Sequence, residues 1–159
     1  MKMEKPEFTE EQLEEFYLKT VRNNGLDLRS INNPSEEVKL EAVKEDSNAL
    51  QYIKNPSKKI QLEAVIRDGY ALQYIENPSE KIQLAAVKQS GYNLQYIDNQ
   101  SEKIQLAAVR QEANVIKYAI NPSEKVQLAA VKQDPSTICY IENPSEKIQL
   151  LAVEEVVII

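Results

Sequence analysis

A chain of 159 residues with 42% hydrophobic and 28% charged content has apolar surface for one compact core or one array, and too little for two large ones. Its formal charge of −6, from 19 Lys and Arg against 25 Asp and Glu, argues against general adhesion to phosphate backbones or anionic lipid. The absence of His, a single cysteine and only three glycines exclude Ser-His and Cys-His nucleophile pairs, structural zinc and a phosphate-cradling loop, so no catalytic residue, metal site or cofactor is expected.

In chain order, residues 1–10 read as a tail and polar cap. They contain no apolar leader, and no later stretch approaches the roughly 18 apolar residues of a membrane span, so a cytoplasmic protein without a membrane partner is expected. The acids Glu4, Glu7, Glu10, Glu11, Glu14 and Glu15 suit the dipole of a first helix, and are better explained that way than as a mimic of DNA. The net charges of residues 1–32, 33–54 and 143–159 are each −2, which places the whole acidity at the two ends.

From near residue 11 onward the chain repeats. Asn33, Asn55, Asn77, Asn99, Asn121 and Asn143 stand 22 residues apart, and each opens a near-copy of NPSEKIQLAAVKQxGYxLQYIx. A degenerate copy precedes them, from near 11, and the last copy stops after its first helix. In each copy the Asn is expected to cap an α-helix, with Pro78 and its equivalents at the first helical position and Glu80 completing a capping box. Gly91 is expected to stop that helix in a left-handed conformation, and YNLQYI to form a second, shorter helix or 3₁₀ turns. Ser47, Ala113 and Pro135 take the glycine's place elsewhere, and Pro135 is expected to end its helix sharply.

On the first helix of the copy at Asn77, Ile82, Leu84, Ala86 and Val87 cover an arc too wide for one helix pair to bury alone. The copies must therefore stack. The predicted fold is all-α, an α-solenoid of about seven 22-residue two-helix repeats over residues 11–159, starting near 11, 33, 55, 77, 99, 121 and 143. At about 8–10 Å per repeat it would reach about 60 Å.

The strings LEAVIRDGYALQYI, LAAVKQSGYNLQYI and LAAVRQEANVIKYA resemble a family of short bacterial, phage and viral helical repeats built on L-A-A-V-K-Q-x-G-x-x-L-x-Y. They are also similar to leucine-rich-repeat variants, which alternate an α-helix with a 3₁₀ helix. The resemblance spans about Glu11 to Val153. It implies a helical interaction scaffold and, from relatives in mobile elements, an inhibitor that sterically masks a host defence or regulatory complex.

Two basic rows are the first candidate surface. Lys59, Lys81, Lys103, Lys125 and Lys147 share one place, and Lys44, Lys88, Arg110 and Lys132 lie seven residues along on the same helix face. With neighbouring acids nearly cancelling them, they read equally as a solvated face. Tyr52, Tyr74, Tyr96, Tyr118 and Tyr140 form a column expected to tuck under the turns, whereas the additional Tyr70 and Tyr92 are better placed for contact. The expected partner is a macromolecular protein, with nucleic acid, bound through the Lys and Arg rows and tyrosines, as the alternative.

Two further columns stand out. Glu41 and Glu63 give way to Ala85, Ala107 and Ala129 and then Leu151, so one strip turns from charged to apolar; Lys59 is expected to pair with Glu63. Gln61, Gln83, Gln105, Gln127 and Gln149 point into the apolar arc, where each amide is expected to bond main-chain groups of a neighbouring turn. Cys139 has no partner to activate it and reads as inert. Val153, Val156, Val157, Ile158 and Ile159 leave a hydrophobic end, to be covered by folding back or by a second copy in a two-fold homodimer.

Overall fold

The computed structural model describes residues 8–157, with side chains through residue 154. It is all-helical among the described residues: seven α-helices alternate with six 3₁₀ helices. The chain divides into two compact units, the first ending at Arg67 and the second starting at Asp68.

The first unit contains α1 (Glu10–Asn23), η1 (Gly25–Ser30), α2 (Glu36–Glu45), η2 (Ser47–Tyr52) and α3 (Lys58–Arg67). The second contains η3 (Gly69–Tyr74), α4 (Glu80–Gln89), η4 (Gly91–Tyr96), α5 (Glu102–Val109), η5 (Ala113–Tyr118), α6 (Glu124–Gln133), η6 (Pro135–Tyr140) and α7 (Glu146–Val157). Within each unit every α-helix packs on the α-helix of the next copy and every 3₁₀ helix on the next 3₁₀ helix, which is the stacking of an α-solenoid. Ile82, Ala86 and Val87 are buried as the helical wheel requires, and the equivalent Ile104, Ala108, Val109, Val126, Ala130 and Val131 have no exposed surface.

The 3₁₀ helices run six residues each, long for this geometry. Their sequence explains it. Gly69, Leu72 and Ile75, and again Gly91, Leu94 and Ile97, are buried at a spacing of three, which is the period of a 3₁₀ helix and places one edge against the neighbouring repeat. The residue before five of the six is a short polar cap: Asn24, Asp46, Asp68, Ser90 and Asp134 each accept from the main-chain N–H two residues on. Asn24, Asp46, Ser90 and Asp134 also terminate the preceding α-helix, so one extended residue serves both helices.

Two local expectations are corrected. The α-helix cap is Ser, two residues beyond the Asn: Ser35, Ser57, Ser101 and Ser123 accept from the N–H of Val38, Ile60, Ile104 and Val126. The Asn residues instead take the left-handed conformation, with φ between 47° and 52° at Asn33, Asn55, Asn77, Asn121 and Asn143, a strain that Asn tolerates best among residues with a Cβ. No glycine has positive φ. Gly91 is needed for close approach, because a Cβ there would lie 2.6 Å from the Ala108 carbonyl oxygen. α6 ends at Gln133, with Asp134 closing it and Pro135 opening η6, as expected, whereas α5 stops after eight residues, where Glu112 makes no side-chain cap.

Candidate interaction surface

The helix starts of the second unit carry a ladder of ion pairs. Each Lys reaches back to the acid of the preceding copy: Lys103 to Glu80 at 3.3 Å, Lys125 to Glu102 at 3.0 Å and Lys147 to Glu124 at 3.7 Å. Glu102 also accepts from the Ser123 hydroxyl at 2.7 Å, and that bond, with Lys125, holds its carboxyl below the usual value of 4.5. The row of Lys is therefore half of an alternating strip, exposed but internally compensated. Lys59 and Lys81 are exposed and make no ion pair among the described residues.

The second basic row is less compensated. Lys88, Arg110 and Lys132 are exposed without an ion pair among the described residues, while Lys44, in the first unit, is tied to Glu41 at 2.6 Å. Glu41 also pairs with Arg22 at 3.1 Å, and the hydrogen bonds from Lys44 and Arg22 lower its carboxyl's pKa. Glu63 pairs with Arg67 at 3.1 Å; the expected bond from Lys59 is not the one formed, because Arg67 supplies a longer, forked donor one turn ahead. Ala85, Ala107 and Ala129 are half-buried, so that strip offers little apolar area.

The tyrosines interlock. Tyr70 meets Tyr96 of the next copy edge-on, ring centroids 5.2 Å apart, and Tyr92 meets Tyr118 at 6.4 Å. The hydroxyl bond with Tyr70 pushes the Tyr96 phenol up to about 12. Tyr92 is half-buried and its hydroxyl accepts from the Asn114 amide at 2.8 Å, whereas Tyr70 is more open. Lys117 stands 5.0 Å from the centre of the Tyr118 ring and 6.0 Å from those of Tyr92 and Tyr140. The two additional tyrosines are thus joined to the column rather than separate from it.

The Gln column lies only partly inside: Gln83 and Gln105 are buried, Gln61 and Gln127 half-buried and Gln149 exposed. Gln61, Gln83, Gln127 and Gln149 donate to the carbonyls of Pro56, Pro78, Pro122 and Pro144 at 2.9–3.0 Å. Gln105, the most buried, donates instead to the Ile120 carbonyl at 2.8 Å. Two open clefts sit beside this column, where the end of a 3₁₀ helix meets the Asn-Pro turn and the next copy. One, of about 590 Å³, includes Leu72, Ile75, Pro78, Gln83, Tyr96 and Asp98; the other, of about 630 Å³, includes Ile116, Ala119, Pro122, Gln127, Tyr140 and Glu142. They occupy the same place two repeats apart. Sequence reasoning missed them because they are made of main chain; the signal available was Gln100, where the other copies have Pro.

Among the described residues no group of three or more His, Cys, Asp or Glu is placed to hold a metal ion, and no helix is long and apolar enough to cross a membrane. Cys139 is exposed. At the C-terminal end Leu150 and Val153 are exposed on α7; the side chains of Val156 and Val157, and Ile158 and Ile159 entirely, lie outside the described residues. A scan against family models finds no match, and neither do searches of curated proteins and of solved structures.

Proposed function

We propose that the protein is a non-enzymatic scaffold that binds a macromolecular protein partner along its repeats. The observation that carries this reading is repetition: the Glu–Lys rung recurs three times and the cleft twice at fixed intervals. A catalytic centre gathers unlike groups once, whereas a regular surface suits an extended partner that contacts equivalent points in succession. Lys59, Lys81, Lys88, Lys103, Arg110, Lys125 and Lys132, with Tyr70 and Tyr92, are the proposed contact residues. The repeat-family resemblance adds the proposal that the protein acts in the cytosol as a phage or mobile-element inhibitor, masking a host defence or regulatory complex. Compensation of the outer Lys row by Glu80, Glu102 and Glu124 favours a protein over a polyanion.

Affinity capture from the native cell lysate, with and without nuclease, tests this. A stoichiometric protein that survives nuclease and is lost with Lys88→Glu/Arg110→Glu/Lys132→Glu is the expected outcome; capture of nucleic acid alone overturns it. A second proposed contact is a two-fold pairing of copies through Leu150, Val153 and the valines and isoleucines after them. Light scattering should then show the mass halve when Val156–Ile159 are deleted, and an unchanged mass removes the homodimer.

A further inference from the structure

One copy differs from its neighbours at the place the clefts occupy. Asn99 is followed by Gln100 instead of Pro, and the Gln100 side chain lies in the position that is open on either side. Its amide nitrogen donates to three main-chain carbonyls: Leu94 at 3.1 Å, Ile97 at 3.0 Å and Tyr118, in the next repeat, at 2.9 Å. Its oxygen accepts from the Ile120 N–H at 2.8 Å and from the Gln105 amide at 3.2 Å. The orientation is fixed by the partners, since carbonyls only accept and the Ile120 N–H only donates.

The 22-residue period carries these groups into the clefts. The counterparts of Leu94, Ile97, Tyr118 and Ile120 are Leu72, Ile75, Tyr96 and Asp98 in one, and Ile116, Ala119, Tyr140 and Glu142 in the other. There Pro78 and Pro122 have no side chain that can enter, and no hydrogen bond is made by the Asp98 or Glu142 N–H among the described residues. Gln83 and Gln127 turn to their own prolines' carbonyls, at 3.0 Å each. Each cleft is thus a set of three acceptors and one donor in the arrangement that Gln100 satisfies.

The geometry points to these two clefts as binding sites for carboxamide side chains, Gln above all, presented by an extended segment of a partner protein. A cation would meet the carbonyls but leave the N–H facing positive charge, and a carboxylate would do the reverse; a hydroxyl has one hydrogen to share among three carbonyls, whereas a carboxamide brings two N–H donors together with an acceptor oxygen. Two repeats of about 8–10 Å separate the clefts by about 16–20 Å, which an extended chain crosses in roughly six residues, an even number that keeps both side chains on one face. This deepens the scaffold reading and rests on it for the partner's being a protein.

The test is a nuclear magnetic resonance titration of the isolated full chain with a short acetylated, amidated Ser/Thr peptide carrying two Gln at roughly that six-residue spacing. The Asp98 and Glu142 amide signals should shift while that of Ile120, already bonded, stays in place. A peptide with one Gln should bind about tenfold more weakly or worse. Replacing both Gln by Met should abolish the shifts; equal shifts with Met or with Lys overturn the assignment, as does no shift with Gln. Pro78→Gln/Pro122→Gln, which supplies the internal amide, should remove binding, and Gln100→Pro should add Ile120 to the responding signals. Should either variant fail to fold, the wild-type titration still decides. Because it needs no cellular partner, its failure is separate from failure of the lysate capture.

Discussion

The two flanks of the second unit obey different rules. At the helix starts, charged side chains find partners one repeat away, and Glu80, Glu102 and Glu124 compensate Lys103, Lys125 and Lys147 in water. At the 3₁₀ ends the bonding groups are main-chain carbonyls and N–H groups, and whether they are satisfied depends on one residue per copy, Gln100 or a proline. A periodic sequence fixes a periodic backbone, but it does not fix which backbone groups are left open. That choice is made by single departures from the consensus.

Four substitutions sharpen the contrast, in three comparisons taken from the largest expected effect. Gln105→Leu strips the partner from the Ile120 carbonyl and from Gln100 in a site only 3% exposed, and should cost about 1–3 kcal/mol in denaturant unfolding, with Gln149→Leu, on an exposed site, near zero. Equal effects would show that burial along the column does not set its worth. Tyr70→Phe removes the hydroxyl partner of Tyr96, so in a phenolate absorbance titration the group that ionises at about 12 should move back toward 10.0. A raised phenol pKa contributes stability below pH 10 that is lost as pH rises toward 12, and the variant should lose less over that window. The smallest effect belongs to Glu102→Gln. Glu102's lowered pKa contributes above the unfolded value near 4.5 and fades as pH falls through the folded one, so wild type and variant should converge in acid and also in 1 M salt.

Much of this was legible. The 22-residue spacing of the Asn residues, the wide apolar arc from Ile82 to Val87 and the inward Gln83 and Gln105 each constrain side-chain direction, and direction follows from helical period alone; Gln149, in the last copy, is exposed. Gln89, by contrast, looks like a plain surface residue, yet it accepts from the Gly69 N–H at 2.8 Å across 20 positions. The misplaced cap has a similar cause: Asn and Ser are near-equal caps, and only the backbone shows that Asn77 is needed two residues earlier for its left-handed φ. The role of Gly91 was hidden because close approach to the Ala108 carbonyl depends on how tightly the next repeat seats, which no single copy encodes. The clefts were the least visible, since main-chain acceptors have no residue type.

The shared cap residue carries a last consequence for how such a chain can change. At Asp46, Ser90 and Asp134 one residue both ends an α-helix and opens a 3₁₀ helix, so a one-residue insertion there would split the two duties and shift the next copy out of register. Duplication or loss of a whole 22-residue unit leaves every joint intact. Viable length variants should therefore differ by complete periods, and the chain's evolutionary history should read as whole units gained and lost.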